Sequence, residues 1–106
     1  YKRTKMNLTK ENFDKTLEKN RVVMVDFWAE WCSPCRMLTP IVDEVQNLMP
    51  NNVAKVNIEQ EKDLAVRFGI RSIPTVIIFK DGEIMERIPG ISNKGTYIDK
   101  LKYYMN

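Results

Sequence analysis

The feature that most constrains the fold is a short apolar run followed at once by a pair of cysteines. Residues Val22 to Trp28 form a nearly continuous apolar stretch, the pattern of a central strand that is covered on both faces. The segment WCSPC at positions 31–35 follows, and apolar residues at helical spacing come after it. The chain is therefore predicted to pass from a buried strand into a helix at the point where its two thiols lie.

Apolar periodicity and turn residues predict alternating helices and strands along the rest of the chain. The predicted elements are a helix over residues 10–19 capped by Thr9, a strand over 22–28, a helix that begins near Pro34 and ends before Pro50, a strand over 53–58, a helix over 63–68, strands over 75–80 and 83–88, and a last helix opened by Ser92. The order of these elements predicts a parallel first strand pair, and Asp81-Gly82 predicts a hairpin between the last two strands. We expect an α/β fold with a central mixed β-sheet flanked by helices on both faces.

Three finer features of the helices are also predicted. Leu8 should pack on Phe13 as a hydrophobic staple at the start of the first helix. Pro40 falls inside the second helix and should kink it. The inner face of the last helix should carry Ile98, Leu101 and Met105.

Length and charge limit the possible classes of function. A chain of 106 residues, 43% of them apolar, has the usual size of one domain, which we expect over residues 1–106. The 17 basic and 14 acidic side chains leave a net charge of +3, too small and too dispersed to predict nucleic-acid binding. The basic cluster of Lys2, Arg3 and Lys5 is interpreted as a solvated terminus.

The sequence contains no predicted membrane segment. No apolar run approaches the roughly 20 residues that cross a bilayer, and the first ten or so residues lack the apolar middle of a signal peptide. We expect a monomer that acts in the cytoplasm and binds no membrane. Because the sequence begins with Tyr1 and not Met, it leaves open whether a targeting segment or an anchor precedes it.

The chain contains no histidine, which excludes several kinds of site. Nucleophile pairs that use histidine, imidazole metal ligands and a histidine base are absent. A c-type haem signature needs histidine directly after the second cysteine, and that position is Arg36. A zinc or iron–sulfur site would require a dimer that shares its cysteines, because one chain offers two thiols.

Two thiols separated by two residues suggest dithiol–disulfide chemistry, which needs no bound cofactor. Cys32 falls beyond the carboxyl end of a strand, where active crevices of open α/β sheets lie. It also precedes a helix, whose unpaired N–H groups and dipole favour a thiolate, so Cys32 is the predicted nucleophile. Cys35 lies one turn further on, where burial keeps it a thiol until it attacks the mixed disulfide; it is the predicted resolving cysteine.

The chain resembles the thioredoxin family over essentially its whole length. The resemblance is carried by VDFWA at 25–29, WCSPC at 31–35, Pro40, AKV at 54–56, GIRSIPT at 69–75, FKDG at 79–82 and Gly90. It implies a thioredoxin fold, a redox-active Cys32–Cys35 pair, disulfide-containing protein substrates and a thioredoxin reductase as electron donor. Most thioredoxins have glycine where this chain has Ser33. The serine hydroxyl is able to donate to the Cys32 sulfur, so the redox potential can differ from the family value of about −270 mV. The sequence does not predict the direction of that difference.

The resemblance also implies a proton acceptor for Cys35. Asp26 is a lone carboxylate in an apolar strand, and burial raises the pKa of such a group. Asp26 is expected to accept the proton through a water, with Lys55 on the adjacent strand as its charge partner. The alternative is an ordinary strand-end aspartate that pairs with a neighbour.

A substrate-binding surface follows from the same resemblance. In thioredoxins the bond that matches Ile73–Pro74 is cis, and it brings the Ile73 backbone beside the cysteines to pair with an extended substrate. The alternative is a simple strand-entry proline. The residues expected to bind substrate are Trp31, Ser33, Pro34, Ile73, Pro74, Gly90 and Ile91. Structural support is expected from Trp28, which should pack under the motif, and from Pro40 and Gly82.

These patterns predict a protein disulfide reductase in which Cys32 attacks and Cys35 resolves. An alternative keeps the fold and runs the exchange in the other direction, as a disulfide oxidase or isomerase. A second alternative is a thioredoxin-like binding module whose apolar patch holds a partner protein.

Overall fold

The computed structural model describes residues 6–106, so the predicted solvated cluster of Lys2, Arg3 and Lys5 lies outside it. Within this range helices and strands alternate in the predicted order. They are α1 (Phe13–Lys19), β1 (Val22–Trp28), α2 (Ser33–Leu48), β2 (Val53–Asn57), α3 (Lys62–Arg67), β3 (Thr75–Lys80), β4 (Glu83–Pro89) and α4 (Lys94–Met105).

The strands form one mixed sheet in the order β2-β1-β3-β4. β1 runs parallel to β2, as the intervening helix predicts, and antiparallel to β3. β3 and β4 are joined by a turn in which Asp81 and Gly82 have φ angles of 53° and 82°. Positive φ at both positions is the geometry of a tight two-residue turn, so the predicted hairpin is confirmed.

Helices cover both faces of the sheet, and the burial of β1 follows the alternation of side chains along a strand. One face packs on α1 and α3 through a cluster that includes Phe13, Leu17, Val23, Val25, Phe27, Leu64 and Phe68. The other face packs on α2 and α4 through a cluster that includes Val22, Met24, Leu38, Val42, Val45, Tyr97 and Leu101. β1 therefore lies at the centre of the molecule and sends its even-numbered side chains towards α2.

The first helix begins later than predicted, at Phe13 instead of Lys10. A local turn precedes it, in which the Thr9 N–H donates to Asn12 Oδ1 at 2.7 Å and the Asn12 N–H donates to Thr9 Oγ1 at 3.4 Å. Because α1 begins at Phe13, Asn12 is its N-cap residue, although the Asn12 side chain accepts no N–H of the helix, and the prediction that Thr9 would cap the helix was wrong. Leu8 and Phe13 share one buried cluster, as the predicted staple requires.

The last helix also differs in detail from its prediction. Asn93, and not Ser92, is the N-cap residue, because its Oδ1 accepts the Thr96 N–H at 2.8 Å. Met105 is 37% exposed, so its predicted place on the inner face was wrong. Met105 is the last residue of α4. The apolar stripe of this helix extends beyond the residues that pack on the sheet. No helix within residues 6–106 has the length and apolar character needed to cross a bilayer.

Candidate active site

The two cysteines lie at the junction of β1 and α2. Cys32 is the N-cap residue of α2, and its Sγ accepts the Cys35 N–H at 3.2 Å. Pro34 occupies the first turn, where its missing N–H leaves no donor unsatisfied. A sulfur atom therefore stands where a side-chain oxygen ordinarily accepts the first free N–H groups of a helix.

A disulfide joins Cys32 to Cys35, whose Cα atoms are 5.2 Å apart. Both residues are buried, with exposed fractions of 4% and 1%. They form a small cluster with Ala29, against which Trp28, Ile58 and Ile73 pack. Trp28 thus packs against the cysteine motif, in the place predicted for it.

The Ile73–Pro74 peptide bond borders the disulfide and is cis, as the family resemblance implied. The Ile73 carbonyl oxygen lies 3.8 Å from Cys32 Sγ. The Pro74 carbonyl oxygen accepts the Gly90 N–H at 2.9 Å, which fixes the chain that follows β4 against the start of β3. The backbone at Ile73 therefore lies beside the sulfur of the predicted nucleophile.

The residues predicted to form an apolar surface around Cys32 are exposed to different degrees. Trp31 is 64% exposed and Ile91 is 42% exposed, whereas Pro74 is buried and Ile73 is half-buried. Exposed apolar area thus comes mainly from Trp31, next to Cys32 in the chain, and from Ile91, which follows the glycine bonded to Pro74.

Arg36 connects the residues on either side of Cys32. Its Nη1 donates to the Glu30 carbonyl oxygen at 2.7 Å, and its Nη2 donates to Ser33 Oγ at 3.1 Å. Sequence reasoning used Arg36 only to exclude haem attachment and so missed this bridge. The three-residue spacing of Ser33 and Arg36 on one helix would have indicated it.

Asp26 lies in the middle of β1 and is 1% exposed. Among the described residues its Oδ1 atom has no hydrogen-bond partner. Burial raises the pKa of the Asp26 carboxyl to about 7; the Lys55 charge opposes this rise and the Asp43 charge adds to it. A carboxyl group with a pKa near neutrality can both take up and release a proton at physiological pH.

Lys55 is the register partner of Asp26 on the neighbouring strand, so both side chains project from the same face of the sheet. Lys55 is 8% exposed, and its Nζ lies 3.1 Å from Asp43 Oδ1 on α2. Within residues 6–106 it forms no ion pair with Asp26. Lys55 therefore acts on Asp26 through its charge, which lowers the Asp26 pKa, while its ion-pair partner is Asp43.

Asp43 is a residue of the site that sequence reasoning missed. A lysine in a buried strand needs a counter-charge, because an unpaired ammonium group is costly to remove from water. Asp26 on the next strand was the obvious candidate. Asp43 follows the buried Val42 on α2, so its carboxylate borders the apolar stripe of the helix that faces Lys55. That position was the sequence signal that could have indicated Asp43 as the counter-charge.

Two predicted support residues lie outside the cluster that packs on the cysteines. Pro40 lies inside α2, after the turn that carries Cys35, and Gly82 lies in the hairpin turn between β3 and β4. In the part of the chain that the structure describes, no three His, Cys, Asp or Glu side chains stand together in a way that could hold a metal ion.

Comparison with known proteins agrees with this geometry. The Thioredoxin family model matches residues 4–103. Thioredoxin from Rickettsia bellii (strain RML369-C) is 44% identical over 96 residues, which cover 88% of this chain and 91% of the relative. Thioredoxin from Rickettsia felis (strain ATCC VR-1525 / URRWXCal2) matches with the same identity and coverage.

The fold agrees as well. The solved structure of a mutant thioredoxin from Halobacterium salinarum NRC-1 superposes with a TM-score of 0.87 at 31% identity, over 95% of this chain and 90% of that one. Sequence, fold and a disulfide within a C-x-x-C motif all lead to one conclusion. The chain belongs to the thioredoxin family and is a thiol–disulfide oxidoreductase.

Proposed function

We propose that this protein reduces disulfides of other proteins, with Cys32 as nucleophile and Cys35 as resolving cysteine. The observation that carries the proposal is the position of Cys32 Sγ at the N-cap of α2, where it accepts the Cys35 N–H. The same N–H group and the helix dipole stabilise a thiolate on Cys32 once the disulfide is reduced.

The proposed exchange has two steps. The Cys32 thiolate bonds to one sulfur of the substrate disulfide, the substrate S–S bond breaks, and the other substrate sulfur leaves as a thiolate. Cys35 then loses its proton and bonds to Cys32 Sγ, which breaks the mixed disulfide and releases the second substrate sulfur. The substrate gains two electrons and the Cys32–Cys35 pair loses two.

Asp26 is proposed as the acceptor of the Cys35 proton. Its carboxyl is buried on the α2 face of the sheet, and its pKa of about 7 allows it to be deprotonated when Cys35 must ionise. Lys55 is proposed to assist through its charge. Cys35 and Asp26 are both buried, so the proposed proton transfer between them takes place where bulk water is largely excluded.

Substrate is proposed to dock across the surface beside Cys32. The exposed Trp31 and Ile91 supply apolar area, and the Ile73 backbone lies next to the reacting sulfur. An extended substrate segment is expected to pair with this backbone, while Ser33, Pro34, Pro74 and Gly90 shape the surface around it. Such recognition depends little on substrate sequence, which suits a reductase of many flexible disulfide proteins.

Membership of the family implies disulfide-containing substrates and a thioredoxin reductase that returns the oxidised pair to the dithiol. We propose that the protein works as a monomer with no bound cofactor, because the two sulfurs that exchange electrons belong to one chain. Net reduction of substrates requires a reducing compartment, so we place the protein in the cytoplasm.

Trapping with cysteine variants tests the two roles. Cys35→Ser should accumulate a mixed disulfide between Cys32 and a protein substrate such as insulin, because the resolving attack is removed. Cys32→Ser should form no mixed disulfide at a comparable rate. Mass spectrometry of the alkylated complexes identifies the linked cysteine, and a complex that forms equally fast through Cys35 would overturn the assignment.

The direction of exchange is tested by the midpoint potential of the Cys32–Cys35 pair, titrated against glutathione. A reductase should lie near the thioredoxin value of about −270 mV, whereas a value of about −180 to −120 mV would favour the oxidase or isomerase alternative. Partner binding that survives simultaneous replacement of both cysteines by serine would favour a binding module.

A further inference from the structure

We propose that Asp43 is a positioning residue for the proposed proton acceptor: its carboxylate holds the Lys55 ammonium group against α2 and away from Asp26. The inference rests on the proposed role of Asp26 for its catalytic meaning, but its structural content can be tested separately. Asp43 exerts this effect through Lys55 and takes no part in the exchange of sulfurs.

The sheet register brings the three groups together. Asp26 and Lys55 are opposite each other on parallel strands β1 and β2, and they project from the face that α2 covers. A Lys55 side chain in that place can reach towards either carboxylate. It is bonded to Asp43 Oδ1 at 3.1 Å, while Asp26 Oδ1 has no hydrogen-bond partner among residues 6–106.

Burial makes this choice of partner matter. The Lys55 side chain is 9% exposed and that of Asp43 is 27% exposed, so water screens the pair only partly. A direct Lys55–Asp26 pair would hold Asp26 ionised well below neutral pH, where it could no longer exchange protons readily. An ammonium group held by Asp43 acts on Asp26 more weakly.

The groups that face Asp26 come from each element packed around it. They are Lys55 on β2, Asp43 on α2 and Tyr97 on α4; the β3 neighbour in register is the apolar Val76. Burial is the main cause that raises the pKa of Tyr97 above its ordinary value, so its hydroxyl stays neutral through the range in which Asp26 titrates. Lys55 and Asp43 are therefore the charges that tune Asp26 in the oxidised protein.

The test is a carbon NMR titration of the Asp26 carboxyl in the oxidised 106-residue protein, with Asp26→Asn used to assign the signal. Asp43→Asn releases Lys55 to approach Asp26, and we expect it to lower the Asp26 midpoint by about one pH unit. Lys55→Met should raise the midpoint. In the Lys55→Met background, Asp43→Asn should shift the midpoint much less, because only the direct effect of the Asp43 charge remains.

Two further variants control the measurement. Glu44→Gln removes a carboxylate from the neighbouring position of α2, where it pairs with Lys94 at 3.6 Å, and should leave the Asp26 midpoint unchanged. Asp43→Glu retains the charge and should keep the midpoint near that of the parent. It also answers the objection that Asp43→Asn merely loosens the fold.

The outcomes separate this inference from the proposed function. An Asp26 midpoint that does not move in Asp43→Asn, or that moves equally with and without Lys55, overturns the positioning role whatever happens to turnover. A midpoint that moves as expected supports it. If the midpoint moves while the pH profile of insulin reduction does not, the positioning role stands and the proposed proton transfer to Asp26 fails.

Discussion

At Asp26, a buried carboxyl group makes the stability of the protein depend on pH. Its pKa is 3.8 in an unperturbed chain and about 7 in the folded protein. Between these values the folded state binds more protons than the unfolded state, so the free energy of unfolding falls as pH rises and is lowest above pH 7 or so. A difference of about three pH units corresponds to a loss on the order of 4 kcal/mol.

Replacing Asp26 by alanine should remove this dependence. We expect the free energy of unfolding of Asp26→Ala, relative to the parent, to grow by about 4 kcal/mol at most between pH 4 and pH 8 or so. Denaturant unfolding of the oxidised proteins measures the difference. The exposed Asp99→Ala is the control and should show no comparable change, and a difference between Asp26→Ala and the parent that is constant with pH would contradict the raised pKa.

Ser33 marks the departure of this chain from most of its family, and its contacts suggest what the serine does. Its Oγ accepts from Arg36, whose other donor binds the Glu30 carbonyl. The serine hydroxyl therefore holds a positive charge near the motif, and its own hydrogen stays available to the Cys32 sulfur. We expect both effects to stabilise the reduced pair with its Cys32 thiolate.

Loss of the hydroxyl should accordingly make the protein more reducing. We expect Ser33→Gly to lower the midpoint potential by about 10–20 mV, the equivalent of one hydrogen bond at an exposed site. Ser33→Ala should give the same shift, since it lacks the hydroxyl but keeps Cβ. A shift in glycine alone would instead point to backbone freedom, and Ser33→Thr should restore the parental value.

At the scale of elements, strands and turns were easier to predict than helix starts. The strand limits follow from apolar runs, and Asp81-Gly82 favours a tight two-residue turn between β3 and β4. Helix starts depend on local competition between capping side chains. Thr9 and Asn12 exchange hydrogen bonds with each other's backbone, so the turn that they build delays α1 to Phe13.

Two glycines test whether a positive φ angle, as opposed to lack of space, is what requires glycine at a position. Gly82 has φ +82° with open space around its α-carbon, so Gly82→Ala should lower stability through backbone strain alone, by about 1–2 kcal/mol. Gly95 lies in the first turn of α4 and has no positive φ, so Gly95→Ala should be neutral or stabilising by up to about 1 kcal/mol. Thermal and denaturant unfolding compare the two, and equal losses of stability in Gly82→Ala and Gly95→Ala would contradict the role given to the positive φ of Gly82.

At the scale of the molecule, the site is assembled from segments that lie far apart in the sequence. Periodicity predicts which residues of each element face inwards, but it does not predict which elements meet. The placement of Ile73 near the cysteines was predicted from family resemblance, whereas the Lys55–Asp43 pair is seen only in the packing of α2 on β2. Long-range side-chain partners depend on helix docking, which local patterns do not encode.

The same assembly leaves two apolar side chains exposed, one next to Cys32 in the chain and one after the glycine that is bonded to Pro74. Trp31 precedes the motif and Ile91 follows β4, held near by the Gly90 bond to Pro74. If they dock protein substrates, Trp31→Ala and Ile91→Ala should each lower kcat/KM for insulin by about tenfold, the equivalent of some 1.4 kcal/mol of lost contact. A small aromatic disulfide cannot span this surface, so its reduction should change little.

Val66 supplies the control for that comparison. It is 80% exposed on α3, which packs on the other face of the sheet, and Val66→Ala should leave both substrates unaffected. Equal losses for insulin and for the small disulfide would mean that Trp31 and Ile91 act on Cys32 itself and not on docking. Because the two reactions share Cys32 and Cys35, a loss confined to the protein substrate can only come from contacts made outside the disulfide.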